Sequence, residues 1–128
     1  MYIEIQHMAT TKSLLILHKA KPTGGSDLAL KREITPIQNA LEIIRALNPV
    51  TWYWKATKGG KKLQHGFIAQ DVEKILPELV EDGVWVDGTT RKFLATDSIL
   101  PYLVSALKEQ QTHIAKLQKT IEDLQKKL

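Results

Sequence analysis

The stretch from Leu100 to Leu128 constrains this chain more than any other. Apolar residues fall at Leu100, Leu103, Leu107, Ile114, Leu117, Ile121, Leu124 and Leu128, with Gln110 holding the remaining place, so that spacings of three and four alternate to the last residue. That rhythm is a heptad seam, a narrow stripe along one side of an α-helix. A helix over residues 98–128 follows, with Pro101 tolerated in its first turn, where no intrahelical hydrogen bond is lost. A helix that is polar elsewhere gains little from propensity alone and is held by packing. The stripe therefore predicts a coiled coil between chains, with Leu107, Ile114, Leu117, Ile121 and Leu124 as oligomerising residues. Isoleucine at a positions with leucine at d leans toward two strands, Gln110 weakens that lean, and the spacing alone leaves stoichiometry open.

What precedes the seam has the size of one small domain in a chain of 128 residues. Hydrophobic residues make up 43% and charged residues 25%, which argues for a folded chain rather than a disordered one. The absence of cysteine removes disulfides, thiolate metal sites and a cysteine nucleophile together. His7, His18, His65 and His113 are scattered without zinc-ligand spacing, so neither a metal nor any other cofactor is expected. The apolar run Leu14 to Leu17 is far short of the roughly 20 residues of a membrane helix, and no signal-peptide pattern precedes it. A net charge of +4 makes an anionic partner worth weighing without establishing one.

The order of elements reads as α+β. Alternation in Tyr2-Ile3-Glu4-Ile5-Gln6 and the run Leu14-Leu15-Ile16-Leu17 suit strands, and Pro22-Thr23-Gly24-Gly25 breaks them. Thr35-Pro36-Ile37-Gln38 has the form of a capping box with proline at the first helical position, which predicts a helix over 36–47, stopped by Asn48-Pro49. Val50 to Trp54 predicts a strand leading into a hairpin turn at Lys58-Gly59-Gly60-Lys61. A short helix is expected over 69–76, ended by Pro77, and then a small strand, Val84-Trp85-Val86, between turns at Asp82-Gly83 and Asp87-Gly88.

Ser26 with Lys31 is the pair with the chemistry for covalent catalysis. A serine hydroxyl is a poor nucleophile until a base takes its proton, and a lysine freed of water can be that base. Five residues apart, the two diverge by about 140° on a helix and lie on opposite faces of a strand. They must meet across a turn or across a subunit boundary, and the geometry is expected only after assembly. The plain alternative is a capping serine and a solvated lysine. Trp52, Tyr53, Trp54 and Lys55, with Lys58, Lys61 and Lys62, are the material of a nucleic-acid patch. Strand alternation instead puts Trp52 and Trp54 on one face as core, with the lysines solubilising a hairpin tip. His65 reads as structural.

With these residues laid out, the chain closely resembles the endosialidase-type C-terminal intramolecular chaperone, the self-cleaving module of phage tail spikes, fibres and neck appendages. The likeness runs through Ser26-Asp27, Leu30-Lys31, Ile34, Ala40-Leu41, Leu47, Val50 and Tyr53-Trp54-Lys55. It continues through Gly66-Phe67-Ile68-Ala69-Gln70-Asp71-Val72, Leu76-Pro77-Glu78-Leu79-Val80 and the helix from Leu100. Glu33 stands where the family usually has asparagine, and Thr96-Asp97 where an aspartate-tyrosine pair is common.

The resemblance implies Ser26 as nucleophile and Lys31 as its base, with Asp27 supporting and cleavage at Gly25-Ser26. It also implies a homotrimer with a trimeric coiled coil, acting on the upstream appendage segment of the same chain in the host cytoplasm during virion assembly, and then released. The expected organisation is residues 1–25 as the β-rich end of the appendage, 26–97 as the chaperone core and 98–128 as the coiled-coil helix. No membrane partner is expected and nucleic acid is disfavoured. The competing reading is a coiled-coil interaction module without catalysis, binding nucleic acid or a protein through the basic hairpin.

Overall fold

The computed structural model describes residues 25–55 and 61–128. The strands expected within residues 1–21, and most of the first hairpin's turn, lie outside the described residues. The chain divides into two units, residues 1–36 and 37–128. The architecture is α+β, with small antiparallel strand pairs and short helices followed by one long terminal helix.

In the second unit, helix α1 covers Ala40–Ala46, four residues later than its capping signature predicts. The reason is Asn39, which sits in the left-handed region at φ 55, where a helix cannot continue. Asparagine tolerates that conformation, and its side chain makes no cap. The orphaned N–H groups at the start of α1 are taken from a distance instead. Glu109 accepts from Ala40 N–H through Oε1 and from Leu41 N–H through Oε2, each at 3.1 Å. The helix stops before Pro49, as expected, because the residue preceding a proline avoids helical geometry.

Strands β1 (Val50–Trp52) and β2 (Gln64–Gly66) pair antiparallel with Val50 opposite Gly66 and Trp52 opposite Gln64. The Trp52 ring lies across Gly66, where an added Cβ would come within 3.0 Å of the indole. Helix α2 is a short Ala69–Glu73, and Pro77 opens a 3-10 turn.

The second hairpin differs from expectation. Strand β3 runs Val80–Val84 and pairs with β4, Thr90–Leu94, with Gly83 opposite Arg91. Asp82-Gly83 is therefore inside a strand rather than a turn. Gly83 is needed because the Phe93 ring covers it, and a Cβ there would lie 2.7 Å from that ring. The true turn is Trp85–Thr89. Trp85 N–H donates to the Thr89 carbonyl at 2.8 Å, Gly88 adopts φ 80, and Asp87 Oδ1 accepts from Thr89 N–H at 3.0 Å. Thr89 holds the Asp87 carboxyl below its usual range.

Helix α3 spans Leu100–Lys126, 27 residues, entered through a 3-10 turn at Thr96–Ile99 with Pro101 in its first turn. α1 packs along the beginning of α3, where the small residues Ala40 and Ala106 let the backbones approach. Ser105 Oγ donates to the Ile37 carbonyl at 3.3 Å. Val72, Leu76 and Ile99 complete a small core, each contributing roughly 1.5–3 kcal/mol by leaving water. Lys92 on β4 bridges Glu73 on α2 at 2.8 Å and Asp82 on β3 at 3.3 Å, and these partners, Glu73 first, raise its pKa.

Candidate functional site

The candidate site is built on a single short turn in the first unit. Asp27 has extended backbone and caps a 3-10 turn over Leu28–Leu30, its Oδ1 accepting from Ala29 N–H at 2.8 Å. Leu30 N–H donates to the Asp27 carbonyl and Lys31 N–H to the Leu28 carbonyl, both at 3.1 Å. Lys31 then returns to extended geometry. Neither a continuous helix nor a strand would bring residues five apart together. Three tightly wound residues between extended flanks do, and Lys31 Nζ donates to Ser26 Oγ at 2.7 Å. The pair thus meets within one chain, where assembly had been expected to be necessary.

Asp27 makes no ion pair with Lys31, since the ion pairs among the described residues are Lys74–Asp71, Lys92–Glu73 and Lys92–Asp82. Its carboxylate holds the turn. Ser26 and Lys31 are both exposed, and so are Leu28 and Leu30 on the same turn, each at 74%. Gly25 is close to the Leu30 side chain, for a Cβ built on Gly25 would lie 3.2 Å from Leu30 Cδ1. Neither Leu30 nor the capping Glu109 was singled out for these contacts by sequence reasoning. A leucine in a turn and an acid on a helix flank carry no local signal of a specific partner.

The expected oligomerising residues lie on the open side of α3. Leu107, Ile114, Leu117, Ile121 and Leu124 are 48–63% exposed, and Leu100, Leu103 and Val104 extend the same apolar surface toward the helix start. At about 100° per residue Ala106 and Glu109, which face α1, flank this stripe on one side, and Ile114 to Leu124 lie further along the helix axis, past the contact with α1. One side of α3 is satisfied by the chain's own core and the other by nothing among the described residues.

The aromatic residues do not form the core that alternation suggested. β1 ends at Trp52, so Trp54 leaves the strand and stacks on Trp85, with centroids 6.0 Å apart and planes at 26°. Trp85 in turn lies against Phe93 at 5.9 Å. Trp54 is 47% exposed. Together with Trp52, Ile68, Val86 and Arg91 it lines an open groove of about 780 Å³. His65, opposite Thr51 on β2, is exposed. Among the described residues no cluster of three metal-ligating side chains occurs, and no helix is long and apolar enough to cross a membrane.

Comparison with known proteins places this turn at the edge of a family match. Residues 26–81 match the family described as chaperone of endosialidase, the match beginning at Ser26 itself. Over 95 residues, 73% of the chain, it is 28% identical to the long tail fiber protein Gp37 of Enterobacteria phage K3 and equally to that of Enterobacteria phage T2. It spans only 8% and 7% of those two proteins. A self-contained turn bearing Ser26 and Lys31, the linked motifs behind it and these likenesses point the same way: over residues 26–81 the chain is similar to the endosialidase-type chaperone domain, and over 95 residues to phage fibre proteins.

Proposed function

We propose that this chain is an intramolecular chaperone that trimerises and aligns the chains of a phage tail or neck appendage and then releases itself by cutting at Gly25-Ser26. The hydrogen bond of 2.7 Å between Lys31 Nζ and Ser26 Oγ, at the first residue of the family match, carries this reading. Residues 1–25 are then the end of the appendage, 26–97 the chaperone core and 98–128 the trimeric coiled coil, and the site of action is the host cytoplasm during virion assembly.

The chemistry follows from the pair. Neutral Lys31 Nζ takes the proton of Ser26 Oγ as Oγ attacks the Gly25 carbonyl carbon, closing a five-membered ring. The C–N bond breaks, the Ser26 nitrogen leaves with a proton returned from Lys31, and Gly25 is held as an ester on Oγ. Water hydrolyses that ester, giving a Gly25 carboxylate and a chain beginning at Ser26 with its hydroxyl restored. Asp27 supports the reaction by fixing the turn. In a single chain both side chains are exposed, with Lys31 Nζ donating to Ser26 Oγ. Covering of the turn by neighbouring subunits is the step that readies the pair for reaction. Cleavage then reports completed assembly.

The physical benefit lies in register. Pairing strands from three chains is slow and exposed to aggregation. A terminal seam raises the local concentration of the chains and fixes their alignment. Once the aid is cut away, unfolding cannot retrace the folding path, and the fibre is kinetically trapped.

Intact-mass measurement tests the reading. The full chain, joined to its natural upstream sequence, is expected to break at Ser26, whereas Ser26→Ala and Lys31→Ala stay whole as folded trimers. A folded trimer of the unaltered chain that remains whole sinks the claim, and cleavage persisting in Lys31→Ala removes the lysine from it. A second reading, a non-catalytic module binding nucleic acid, draws on Lys55 and Arg91 beside the stacked Trp54 and Trp85. Strong salt-dependent DNA binding by an uncut chain would favour it.

A further inference from the structure

We propose that Leu30 tunes the specificity of the self-cleavage, by disfavouring a side chain on the residue that supplies the scissile carbonyl. This rests on the reading of Ser26 as the nucleophile. Its basis is the position of Leu30 within the turn. Asp27 and the backbone bonds of residues 27–31 fix the direction in which Leu30 leaves the chain, and that direction lies across Gly25. A methyl added at Gly25 would stand 3.2 Å from Leu30 Cδ1, closer than carbon atoms ordinarily rest, so either Leu30 or the Gly25 peptide must shift by a few tenths of an ångström. The same turn carries Lys31 to Ser26 Oγ. A shift of the Gly25 peptide moves the carbonyl carbon relative to the nucleophile, and attack is steeply sensitive to such displacement. The bond favoured is thereby one whose carbonyl belongs to glycine.

Such a role differs from the backbone freedom of glycine, and the two make opposite predictions. If only backbone freedom matters, trimming Leu30 cannot help an alanine at position 25. If Leu30 excludes it, trimming restores the room.

The experiment follows cleavage over time by intact mass during cell-free synthesis of the full chain, with trimer formation checked by sedimentation. Gly25→Ala is expected to slow cleavage by about tenfold. Leu30→Ala alone should cut within about threefold of the parent, and the Gly25→Ala, Leu30→Ala double variant should return to within about threefold of Leu30→Ala. Gly25→Ala cutting at the parent rate, or a double variant as slow as Gly25→Ala, overturns the inference while leaving the Ser26 reading in place. A parent that remains whole as a folded trimer overturns both.

Discussion

Glu109, on the long terminal helix, accepts the backbone N–H of Ala40 at 3.1 Å across 69 residues of sequence. Its second carboxylate oxygen does the same for Leu41. Asn39 offers α1 no side-chain cap, so Glu109 is the capping group, and its negative charge also suits the positive end of a helix. Glu109→Ala should cost about 1–2 kcal/mol, as loss of a capping side chain does, with Glu109→Gln recovering part of it. Denaturant unfolding at matched protein concentration checks this. Equal stability of Glu109→Ala and the parent would mean that water replaces the carboxylate without loss.

Glu33 lies in the left-handed region at φ 52. A side chain with a Cβ pays roughly 1–2 kcal/mol there, and asparagine pays least among such residues. Glu33→Asn should raise the unfolding free energy by about 1 kcal/mol, and Glu33→Gly by less, because glycine gains more freedom when unfolded. No gain in either variant by denaturant titration would show that this turn unfolds independently of the rest.

The parts of this molecule that repeat or stand in sequence order were legible, and the parts that depend on distant neighbours were not. The stripe from Leu100 to Leu128 announces a long helix because its period is local. The start of α1 was misplaced because Thr35-Pro36-Ile37-Gln38 carries every local mark of a cap. The residue that stops the helix reaching back is Asn39 in a left-handed conformation, and the residue that caps it is Glu109. Asp82-Gly83 looked like a turn because glycine's duty toward the Phe93 ring comes from the opposite strand. At the candidate site, Ser26 and Lys31 could be named from their chemistry. Their meeting depends on a 3-10 turn whose capping by Asp27 no periodicity reveals.

Alkaline pH should loosen the second unit. Lys92 has a raised pKa, first through its bond to Glu73 and then through Asp82. Tyr102, whose hydroxyl donates to Glu78 at 3.3 Å, is also raised, mainly by burial and then by the Glu78 charge. In both, the folded state holds its proton more tightly than the unfolded chain. Their contributions are therefore fully present below the ordinary values of 10.5 for lysine and 10.0 for tyrosine, and are lost as pH climbs through the higher folded values. Thermal midpoints should fall above about pH 10, and Lys92→Met should flatten that fall. An unchanged alkaline slope in Lys92→Met would assign the loss to other groups.

The exposed side of α3 makes the last prediction. Ile114 and Ile121 are 48% and 54% exposed in one chain, and Leu117 and Leu124 between and beyond them are equally open. Apolar residues repeating on a heptad over several turns are stabilised when three such helices close around them in parallel. Aspartate at both isoleucines would place unpaired charges along that axis, at a cost of order 3–5 kcal/mol for each buried site. The contact of α1 with Ala106 and Glu109 is made by other residues nearer the start of the helix and is untouched. Ile114→Asp with Ile121→Asp should therefore abolish assembly, giving monomers or unfolded chains in sedimentation experiments, and should leave the chain uncut at Ser26, because the turn stays in water. A trimer that survives both substitutions would show that the seam does not hold the assembly. Monomers that still cut at Ser26 would show instead that the turn needs no neighbouring subunit to act.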